Sequence, residues 1–423
     1  MTKKSDAPAI RFKGFSDAWE QRKLGDIADI VGGGTPSTGN QSYWDGDIDW
    51  YAPAEIADQI YANSSQKKIT GLGYENSSAK MLPPGTVLFT SRAGIGKTAI
   101  LTRKGCTNQG FQSIVPHRGE LDSYFIFSRT EELKRYGELV GAGSTFVEVS
   151  GKQMAVMELM MPPTMREQQT IGGFFQQLDH LITLHQRKFE KLTNVKKSML
   201  EKMFPQNGSS YPEIRFKGFT DPWEQRKFDE VFDCTVPNNT LSRAELSYDE
   251  GTVLNVHYGD VLIKYGSVLD VQKDDIPRIP HRCREDFNGA LLQDGDVIIA
   301  DTAEDETTGK ACEIGNLQGS AIVSGLHTMV CRPRNRMALG YLGYYLNSNA
   351  YHHQLLPLMQ GIKVLSLSRS NIQKTSVSYP IAVKEQQLIA YYFSQLDNLI
   401  TLHQRELEKL QNIKKSMLEK MFV

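Results

Sequence analysis

The sequence predicts an α+β protein made by internal duplication, with two mixed, strand-rich globules and two long helices that pair antiparallel. Three observations lead to this fold class. Residues 167–204 return almost letter for letter at 385–422, at a constant offset of 218 positions. Residues 10–23 return at 214–227, at an offset of 204. The stretches between these copies diverge and consist of short apolar runs broken by glycine and proline, which is typical of strands and turns.

The first globule is predicted from turn signals and one amphipathic stretch. Turns are indicated at 32–36 and 83–85, and residues 86–90 that follow the second turn have the composition of a strand. Tyr, Phe and Leu recur among charged residues between 124 and 139, which predicts one helix. The globule is therefore expected to be mixed and strand-rich, with a helical stretch near 124–139.

The second globule carries 14 more residues between its duplicated ends than the first. Its apolar runs still follow the same order, so we expect both globules to share one fold while presenting different surfaces. The segments 295–300, 326–330 and 339–351 are predicted to take the places of 85–90, 111–115 and 124–139, respectively.

The long helices are predicted from apolar residues at every seventh position. A helix over 166–204 would be about 58 Å long at ~1.5 Å per residue. Thr164 and Glu167 have the spacing of a capping box, whereas Ala382 occupies the corresponding cap position before the second helix. Phe174, Leu181 and Val195 fall three residues after the main apolar row and predict a second row beside it.

The main apolar row, here called the seam, is expected to pair the two helices. The first helix leads from the first globule to the second, so the second helix must run back for the seams to meet. The pair is therefore predicted to be antiparallel, with pseudo-two-fold symmetry. His185 and His403 would lie close together and set the register, unless their imidazoles tip to the edge of the seam. The seam residues are Ile171, Leu178, His185, Leu192 and Met199, with Ile389, Leu396, His403, Leu410 and Met417.

Composition excludes several classes of protein. The formal net charge of -1 provides no global basic field, so any nucleic-acid surface must come from local sorting of charge. The five cysteines are widely spaced and form no C-x-x-C pair, which favours reduced structural thiols over a zinc knuckle or a disulfide framework. There is no apolar run of a signal peptide or membrane span. We expect a cytoplasmic protein.

One loop resembles part of a phosphate-binding motif. Residues 91–98 end in Gly-Lys-Thr, but Ser91 stands where the motif requires glycine for a tight turn. We interpret the segment as a glycine-flexed loop that carries Arg92 and Lys97 toward bases or phosphates. The alternative is an enzyme that hydrolyses a nucleoside triphosphate at this loop.

Other catalytic signals are missing from the sequence. No G-x-G-x-x-G pattern or methyltransferase N/D-P-P-aromatic pattern occurs, so the chain is not expected to transfer methyl groups. The acidic run 301–306 suggests a site for a hard cation, but a solvated loop or one that reads cytosine amino groups is the favoured interpretation. We expect neither a metal nor a cofactor on this chain.

Taken together, the duplicated W-E-Q-R-K openings and the L-D-x-L-I-T-L-H-Q-R helices ending K-K-S-M-L-E-K-M-F resemble the specificity subunits of type I restriction-modification enzymes. The resemblance covers essentially the whole chain. It implies target recognition domain 1 at 10–165, spacer helix 1 at 166–204, a linker at 205–213, target recognition domain 2 at 214–383 and spacer helix 2 at 384–423.

The resemblance also implies function. The two domains would each bind one half of a split double-stranded DNA sequence, and the chain would have no catalysis of its own. The spacer helices would hold two methyltransferase subunits, and endonuclease subunits that translocate DNA would join them. S-adenosylmethionine, ATP and magnesium would belong to those partners. The alternative is a coiled-coil scaffold or architectural protein that binds DNA without reading its sequence.

The residues expected to contact DNA combine the loop analysis with the resemblance. In this family the loop before each closing helix approaches DNA, and residues 143–145 align with 361–363 at the offset of 218. The expected contacts in the first domain are Arg92, Lys97, Gln109, Gln112 and Thr145, and those in the second domain are Thr302, Lys310, His327 and Lys363.

Overall fold

The computed structural model describes residues 7–57, 59–92, 94–141, 148–206 and 208–422. The chain divides into two compact units. Unit 1 combines the chain up to Gln186 with the part from Arg405 onward, and unit 2 is Arg187–Gln404. Each unit thus contains one globule, the near end of one long helix and the far end of the other. No helix among the described residues has both the length and the apolar composition needed to cross a bilayer.

The elements of unit 1 alternate strands with short helices before the first long helix begins. The strands are β1 (Glu20–Lys23), β2 (Ala28–Gly32), β3 (Trp44–Tyr51), β4 (Tyr61–Ala62), β5 (Lys67–Ile69), β6 (Val87–Phe89), β7 (Thr98–Leu101), β8 (Cys106–Thr107), β9 (Gln112–Pro116) and β10 (Glu158–Met161). The helices are α1 (Leu24–Ile27), α2 (Gly71–Glu75), α3 (Ser123–Ser128), α4 (Thr130–Gly141), α5 (Gly151–Ala155) and α6 (Met165–Lys202), which continues into unit 2.

Among the described residues, the strands of unit 2 follow the same order as those of unit 1, with β17 (Thr302–Ala303) and β21 (Leu365–Ser366) added. The strands are β11 (Glu224–Lys227), β12 (Phe232–Asp233), β13 (Val253–Val256), β14 (Val268–Asp270), β15 (Arg278–Ile279), β16 (Val297–Ala300), β17 (Thr302–Ala303), β18 (Ala311–Gly315), β19 (Ala321–Ser324), β20 (Thr328–Pro333), β21 (Leu365–Ser366) and β22 (Ser376–Tyr379). The helices are α7 (Phe228–Val231), α8 (Tyr258–Ile263), α9 (Tyr341–Leu346), α10 (Asn349–His352), α11 (Arg369–Ile372) and α12 (Val383–Met421).

The two globules have the same sheet topology, as the sequence predicts. The five-stranded sheet runs β2-β9-β6-β7-β4 in unit 1 and β12-β20-β16-β18-β14 in unit 2. In each, the last strand joins parallel to an otherwise antiparallel sheet, which makes the sheet mixed. Smaller sheets β5-β3-β8 and β15-β13-β19 correspond, as do the pairs β1-β10 and β11-β22. The central strands β6 and β16 are fully buried.

The register corrects one predicted correspondence. Val87 lies between Ile100 and Ile114, and Val297 lies between Glu313 and Cys331, so β6 and β16 are equivalent as predicted. Phe111 pairs with Thr90, however, and the residue that pairs with Ala300 is Thr328. The predicted match of 326–330 to 111–115 is therefore wrong by two residues. A slip of two keeps every side chain on the same face of a strand, so the apolar pattern does not reveal it.

The predicted helix at 124–139 is two helices, α3 and α4, separated at Arg129. The Arg129 side chain is buried and donates to the carbonyl of Met160 at 2.6 Å and to the Glu132 carboxylate at 2.7 Å. The break thus places a buried cation beside strand β10, a three-dimensional requirement that helical periodicity does not show.

Both long helices are present and end close to their predicted bounds. Their 38 and 39 residues correspond to about 57 and 58 Å at ~1.5 Å per residue. The Thr164 hydroxyl accepts from the Glu167 amide at 3.3 Å, so the predicted cap of α6 is present. The Glu167 carboxylate does not complete a capping box, since it bonds to Arg11 and Trp19 instead.

In each unit two helix segments run antiparallel. In unit 1 the start of α6 packs on the end of α12, where the rings of Phe175 and Phe422 stack at 5.8 Å. In unit 2 the end of α6 packs on the start of α12, where Phe204 stacks on Phe393 at 5.8 Å. The opening segments cover these junctions: the amide of Ile10 donates to Lys420, and the amide of Ile214 donates to Lys202, each at 2.9 Å.

Candidate nucleic-acid interface

Residues that are repeated in the two halves of the sequence attach each globule to its long helix. In unit 1 the Arg11 guanidinium donates two hydrogen bonds to the buried Glu167 carboxylate, at 2.6 and 2.8 Å, and Trp19 Nε1 donates a third at 3.2 Å. Arg215, Glu385 and Trp223 repeat the arrangement in unit 2. The hydrogen bond to Glu167 raises the pKa of Arg11, so the guanidinium stays charged at physiological pH.

The next repeated residues join other elements to the helices. Gln168 accepts from the Asp122 amide and donates to the Glu120 carbonyl, and Gln386 bridges Ala338 and Pro380 in the same way. These are backbone groups, which explains why glutamine recurs although the surrounding sequence differs.

The repeated Asp of the L-D dipeptide has two partners in each unit. Asp179 accepts from Tyr124 Oη at 2.8 Å and pairs with Lys414 of the other helix at 2.6 Å. Asp397 likewise accepts from Tyr344 and pairs with Lys196 at 2.5 Å. Each aspartate thus ties its own globule to the opposite helix, a role that sequence reasoning missed although the repeat itself was the signal.

The seam residues divide between the two units. In unit 1, Ile171 and Leu178 lie in the main core, and Leu410 and Met417 pack against that core. In unit 2, Ile389 and Leu396 lie in the core, and Leu192 and Met199 pack against it. His185 belongs to unit 1 and His403 to unit 2, and both are half-buried. Their predicted role in setting the register stays a prediction.

The expected second row is only partly covered. Phe174 packs against the core of unit 1 and Val195 against that of unit 2, but Leu181 is 40% exposed. Its copy Leu399 is 43% exposed, and the pair Leu184 and Leu402, three residues further on, is exposed as well. The structure therefore corrects the prediction that Leu181 belongs to the packed face.

The residues expected to contact DNA lie where the central strands end. In unit 2, strand β17 follows the central strand β16 and pairs with β21, so that Thr302 is opposite Ser366. The Thr302 hydroxyl donates to Asp301 at 2.8 Å and lies 3.4 Å from His327 Nδ1. The His327 ring is also 3.3 Å from the Asp301 carboxylate and packs edge-on against Tyr258. Thr302 and His327 are thus brought together.

His327 is held in a conformation that few residues other than glycine adopt. Its φ is 54°, in the left-handed region, and its side chain is exposed. Strained backbone of this kind concentrates at functional sites, since surrounding contacts must enforce it. Here the Asp301 amide donates to the His327 carbonyl at 3.1 Å and fixes the turn.

Lys363 and Lys310 reach the same region in different ways. Lys363 is exposed in a hairpin whose base is closed by two backbone hydrogen bonds between Gln360 and Ser366. Lys310 is half-buried and its Nζ donates to the carbonyl of Leu262 at 2.8 Å, while burial lowers its pKa. We call Thr302, Lys310, His327 and the 360–366 hairpin edge 2.

Unit 1 has a corresponding edge 1, made of Arg92, Lys97 and residues 108–110. Arg92 is half-buried, and its backbone forms an isolated antiparallel β-bridge with Glu148. Lys97 is exposed after the turn that follows β6. Gln109 is exposed and accepts from the Thr35 hydroxyl. Gln112 starts β9, half-buried and opposite Gly32. Thr145 lies outside the described residues.

Backbone hydrogen bonds show that the two edges use equivalent positions. Thr90 and Ala300 donate to Lys97 and Lys310, so the two lysines correspond. The carbonyls of Ser91 and Asp301 accept from Val149 and Leu367, so the next residues, Arg92 and Thr302, correspond as well. The amides of Ser91 and Asp301 donate to Gly110 and His327, which makes His327 the counterpart of a glycine.

The loop at 91–98 lacks the context of a nucleotide site. Phosphate-binding loops lead into the N-terminus of a helix, whose amides hold the anion. Here Thr98 begins strand β7. The Thr90 hydroxyl holds the loop closed, since it donates to the Gly94 carbonyl and accepts from the Lys97 amide. The geometry thus supports a tight connection between antiparallel strands.

In the acidic run at 301–306, Thr302 and Ala303 form strand β17, and only residues 304–306 are exposed, in the turn where Asp305 accepts from the Thr307 amide at 2.9 Å. Within the described ranges, no cluster of three or more His, Cys, Asp or Glu side chains is arranged to hold a metal ion. The five cysteines are free thiols, and four of them are buried.

Comparisons with known proteins agree with this architecture. The family model "Type I restriction modification DNA specificity domain" matches residues 16–194 and again 220–412. The type I restriction enzyme MjaIX specificity subunit of Methanocaldococcus jannaschii is 34% identical over 189 residues, which are 44% of this chain and 44% of that protein. The alignment thus spans less than half of that relative. The MjaVIII specificity subunit of the same organism is 20% identical over 412 residues, 95% of this chain and 91% of that protein.

A solved structure shows the same fold. The S subunit of a type I restriction-modification system from M. genitalium is 13% identical and matches with a TM-score of 0.56, over 99% of each chain. The family model matches the chain twice, once over the globule of each unit. This agrees with the two copies of the same sheet topology. The chain belongs to the family of type I restriction modification DNA specificity domains.

Proposed function

We propose that this chain is the DNA-recognition subunit of a type I restriction-modification complex, in which each globule reads one half of a split target. The observation that carries the proposal is the equivalence of edges 1 and 2. One buried frame is built twice from the same residues, and it presents different side chains, such as Arg92 and Thr302, at the same backbone position. A duplicated scaffold with divergent polar tips suits the reading of two different base sequences.

We propose that the partners are two methyltransferase subunits, to which endonuclease subunits add. Glu167, Gln168, Asp179 and their copies bond inside the units. The repeated leucines are instead exposed: Leu181, Leu184, Leu399 and Leu402. Exposed apolar residues that recur in two copies provide two equal docking surfaces. S-adenosylmethionine, ATP and magnesium are assigned to those partners, which would methylate adenines flipped out of the duplex.

The chain itself is proposed to be non-catalytic and cytoplasmic. A specificity subunit needs only to bind DNA and hold its partners, and the connection of the 91–98 loop to a strand gives no support to nucleotide hydrolysis. Free thiols are typical of a reducing compartment, where the DNA is also found.

The test is methylome sequencing of cells that express the chain with its cognate methyltransferase. We expect one bipartite methylated motif. Exchanging residues 24–161 for the middle of a relative should change the half-site read by unit 1 and leave the other half unchanged. Changes in both halves would contradict independent reading.

The alternative function, a scaffold that binds DNA without sequence preference, is not favoured by the family match. It predicts equal affinity for all duplexes of the same length and no fixed methylated motif. The same sequencing experiment, with competition binding against random duplex, decides between the two functions.

A further inference from the structure

The 360–366 hairpin of edge 2 carries an apolar residue at its tip. Ile362 is 100% exposed, and Val364 is 50% exposed. Ile362 stands between Gly361, whose φ of 127° is open mainly to glycine, and the exposed Lys363. The tip of the hairpin thus presents an apolar surface to solvent beside the polar residues of edge 2.

The hairpin is nevertheless firmly attached. Gln360 and Ser366 exchange backbone hydrogen bonds at 3.0 and 2.8 Å. Strand β21 then pairs with β17, and the amide of Leu367, which is buried, donates to the Asp301 carbonyl at 2.8 Å. The tip is therefore an exposed apolar group on a rigid base rather than a frayed loop.

The surroundings of the hairpin indicate its ligand. Thr302, opposite Ser366, provides a hydroxyl, and His327 beside it provides an imidazole, both suited to base edges. Lys363 adds a positive charge next to Ile362, as expected for a phosphate contact. In the major groove, the apolar group that a base presents is the C5-methyl of thymine.

We propose that Ile362 contacts the methyl group of a thymine in the half-site read by unit 2, and that this contact contributes to specificity. The inference rests on the proposed function, since it requires that unit 2 reads duplex DNA. It adds a residue and a base feature: an apolar contact at the hairpin tip beside the polar contacts of edge 2. The glycine before Ile362 permits the tight turn of the hairpin, because a Cβ at Gly361 would lie 1.8 Å from the Val364 carbonyl oxygen.

The experiment uses the full chain in complex with its methyltransferase and the methylated motif found by sequencing. The unit 2 half-site is the one that persists when residues 24–161 are exchanged. Each of its thymines, on either strand, is replaced in turn by uracil, which removes only the methyl group. For the native chain, affinity should fall about 3- to 10-fold at one position, as expected when one methyl group leaves an apolar contact.

The variant Ile362→Ser should bind the unmodified duplex about 3- to 10-fold more weakly and should lose no further affinity when that thymine becomes uracil. Ile381→Ser is the matched control, because Ile381 is 60% exposed in the same unit but precedes the long helix α12. It should keep the native sensitivity to uracil.

Three results would overturn the inference while leaving the proposed function intact. The first is specific binding that no uracil substitution weakens, and the second is uracil sensitivity that survives in Ile362→Ser. A rise in 2-aminopurine fluorescence that requires Ile362 would also overturn it, since it would show a wedge between bases instead of a methyl contact. Binding without any preferred duplex would overturn the proposed function itself.

Discussion

At the scale of single residues, the duplication distinguishes residues that attach each globule to its helix from residues that are proposed to contact DNA. Glu167, Gln168 and Asp179 recur because each satisfies a buried partner that recurs with it. Removing one member of such a buried pair leaves a charge or amide without a partner, which typically costs several kcal/mol. Residues at the edges have no such constraint, so Arg92 in one unit corresponds to Thr302 in the other.

Lys97 and Lys310 occupy equivalent positions but should act differently. Lys97→Gln should weaken DNA binding by the assembled complex for all sequences alike and reduce the slope of log affinity against log salt by about 0.9, the loss of one phosphate contact. Lys310→Gln should leave that slope unchanged, because its ammonium group already bonds to Leu262. Titrations at several salt concentrations measure both. An unchanged slope for Lys97→Gln would show that this lysine does not contact phosphate.

Glu313 should make unit 2 less stable as the pH rises. Burial raises the pKa of its carboxyl from about 4.5 to about 7, although the Gly343 amide donates to it at 2.9 Å. The folded state therefore holds this proton more tightly than the unfolded chain. The resulting stabilisation is complete below pH 4.5 and is lost as the pH rises through 7.

The variant Glu313→Gln should remove this part of the pH dependence, since its amide does not titrate. We expect the native protein to lose free energy of unfolding between pH 5 and pH 8 relative to the variant, measured by chemical denaturation at each pH. Parallel curves for the two proteins would show that Glu313 does not titrate in this range.

At the scale of elements, periodicity predicted the long helices and their main apolar row, but not which residues of the second row are packed. The seven-residue repeat marks residues that are apolar, and it does so equally for a packed row and for a row left open to a partner. Leu181 and Val195 belong to the same sequence row, yet Leu181 is exposed whereas Val195 packs on a core. The predicted match of 326–330 to 111–115 was wrong by two residues for a related reason. Side chains alternate along a strand with a period of two, so a shift of two residues leaves the apolar pattern unchanged.

The exposed leucines lead to a prediction about stoichiometry. Leu181→Glu places a charge on one of the two repeated surfaces and should reduce bound methyltransferase from two copies to one, and adding Leu399→Glu should remove the second copy. Native mass spectrometry of the purified complex counts the subunits. Leu139→Glu, which changes a 76%-exposed and unrepeated leucine of α4, should retain two copies. Two copies bound to the double variant would contradict docking at these leucines.

The candidate sites were only partly accessible from sequence. Arg92, Lys97, Thr302 and Lys310 were singled out by composition, and hydrogen bonding shows that they form two equivalent pairs. The state of Lys310 was not predictable, because its partner is a backbone carbonyl 48 residues away. Asp301 and Tyr258 were missed as neighbours of His327 for the same reason, because each contact joins residues that are far apart in the sequence.

At the scale of the whole molecule, the helices are proposed to set the spacing between half-sites. Inserting one heptad at equivalent points of α6 and α12 adds about 10.5 Å of helix, or about three base pairs at ~3.4 Å each. We expect methylome sequencing to show the same half-sites with a spacer about three base pairs longer. Insertion into one helix alone should abolish methylation, since the seams would no longer match. An unchanged spacer would contradict a spacing role.

The sequence by itself determined the duplication, the two long helices, the shared α+β architecture and the family, because these depend on repeated letters and on periodicity along the chain. Only the tertiary structure decided which repeated residues bond inside the units, which of the two equivalent lysines is exposed, and which loop tips lie at one edge. Those outcomes depend on hydrogen bonds between residues far apart in sequence, such as Arg11 with Glu167 and Asp301 with Leu367. A local sequence pattern does not identify a hydrogen-bond partner far away in the chain, because burial and pairing are properties of the folded protein.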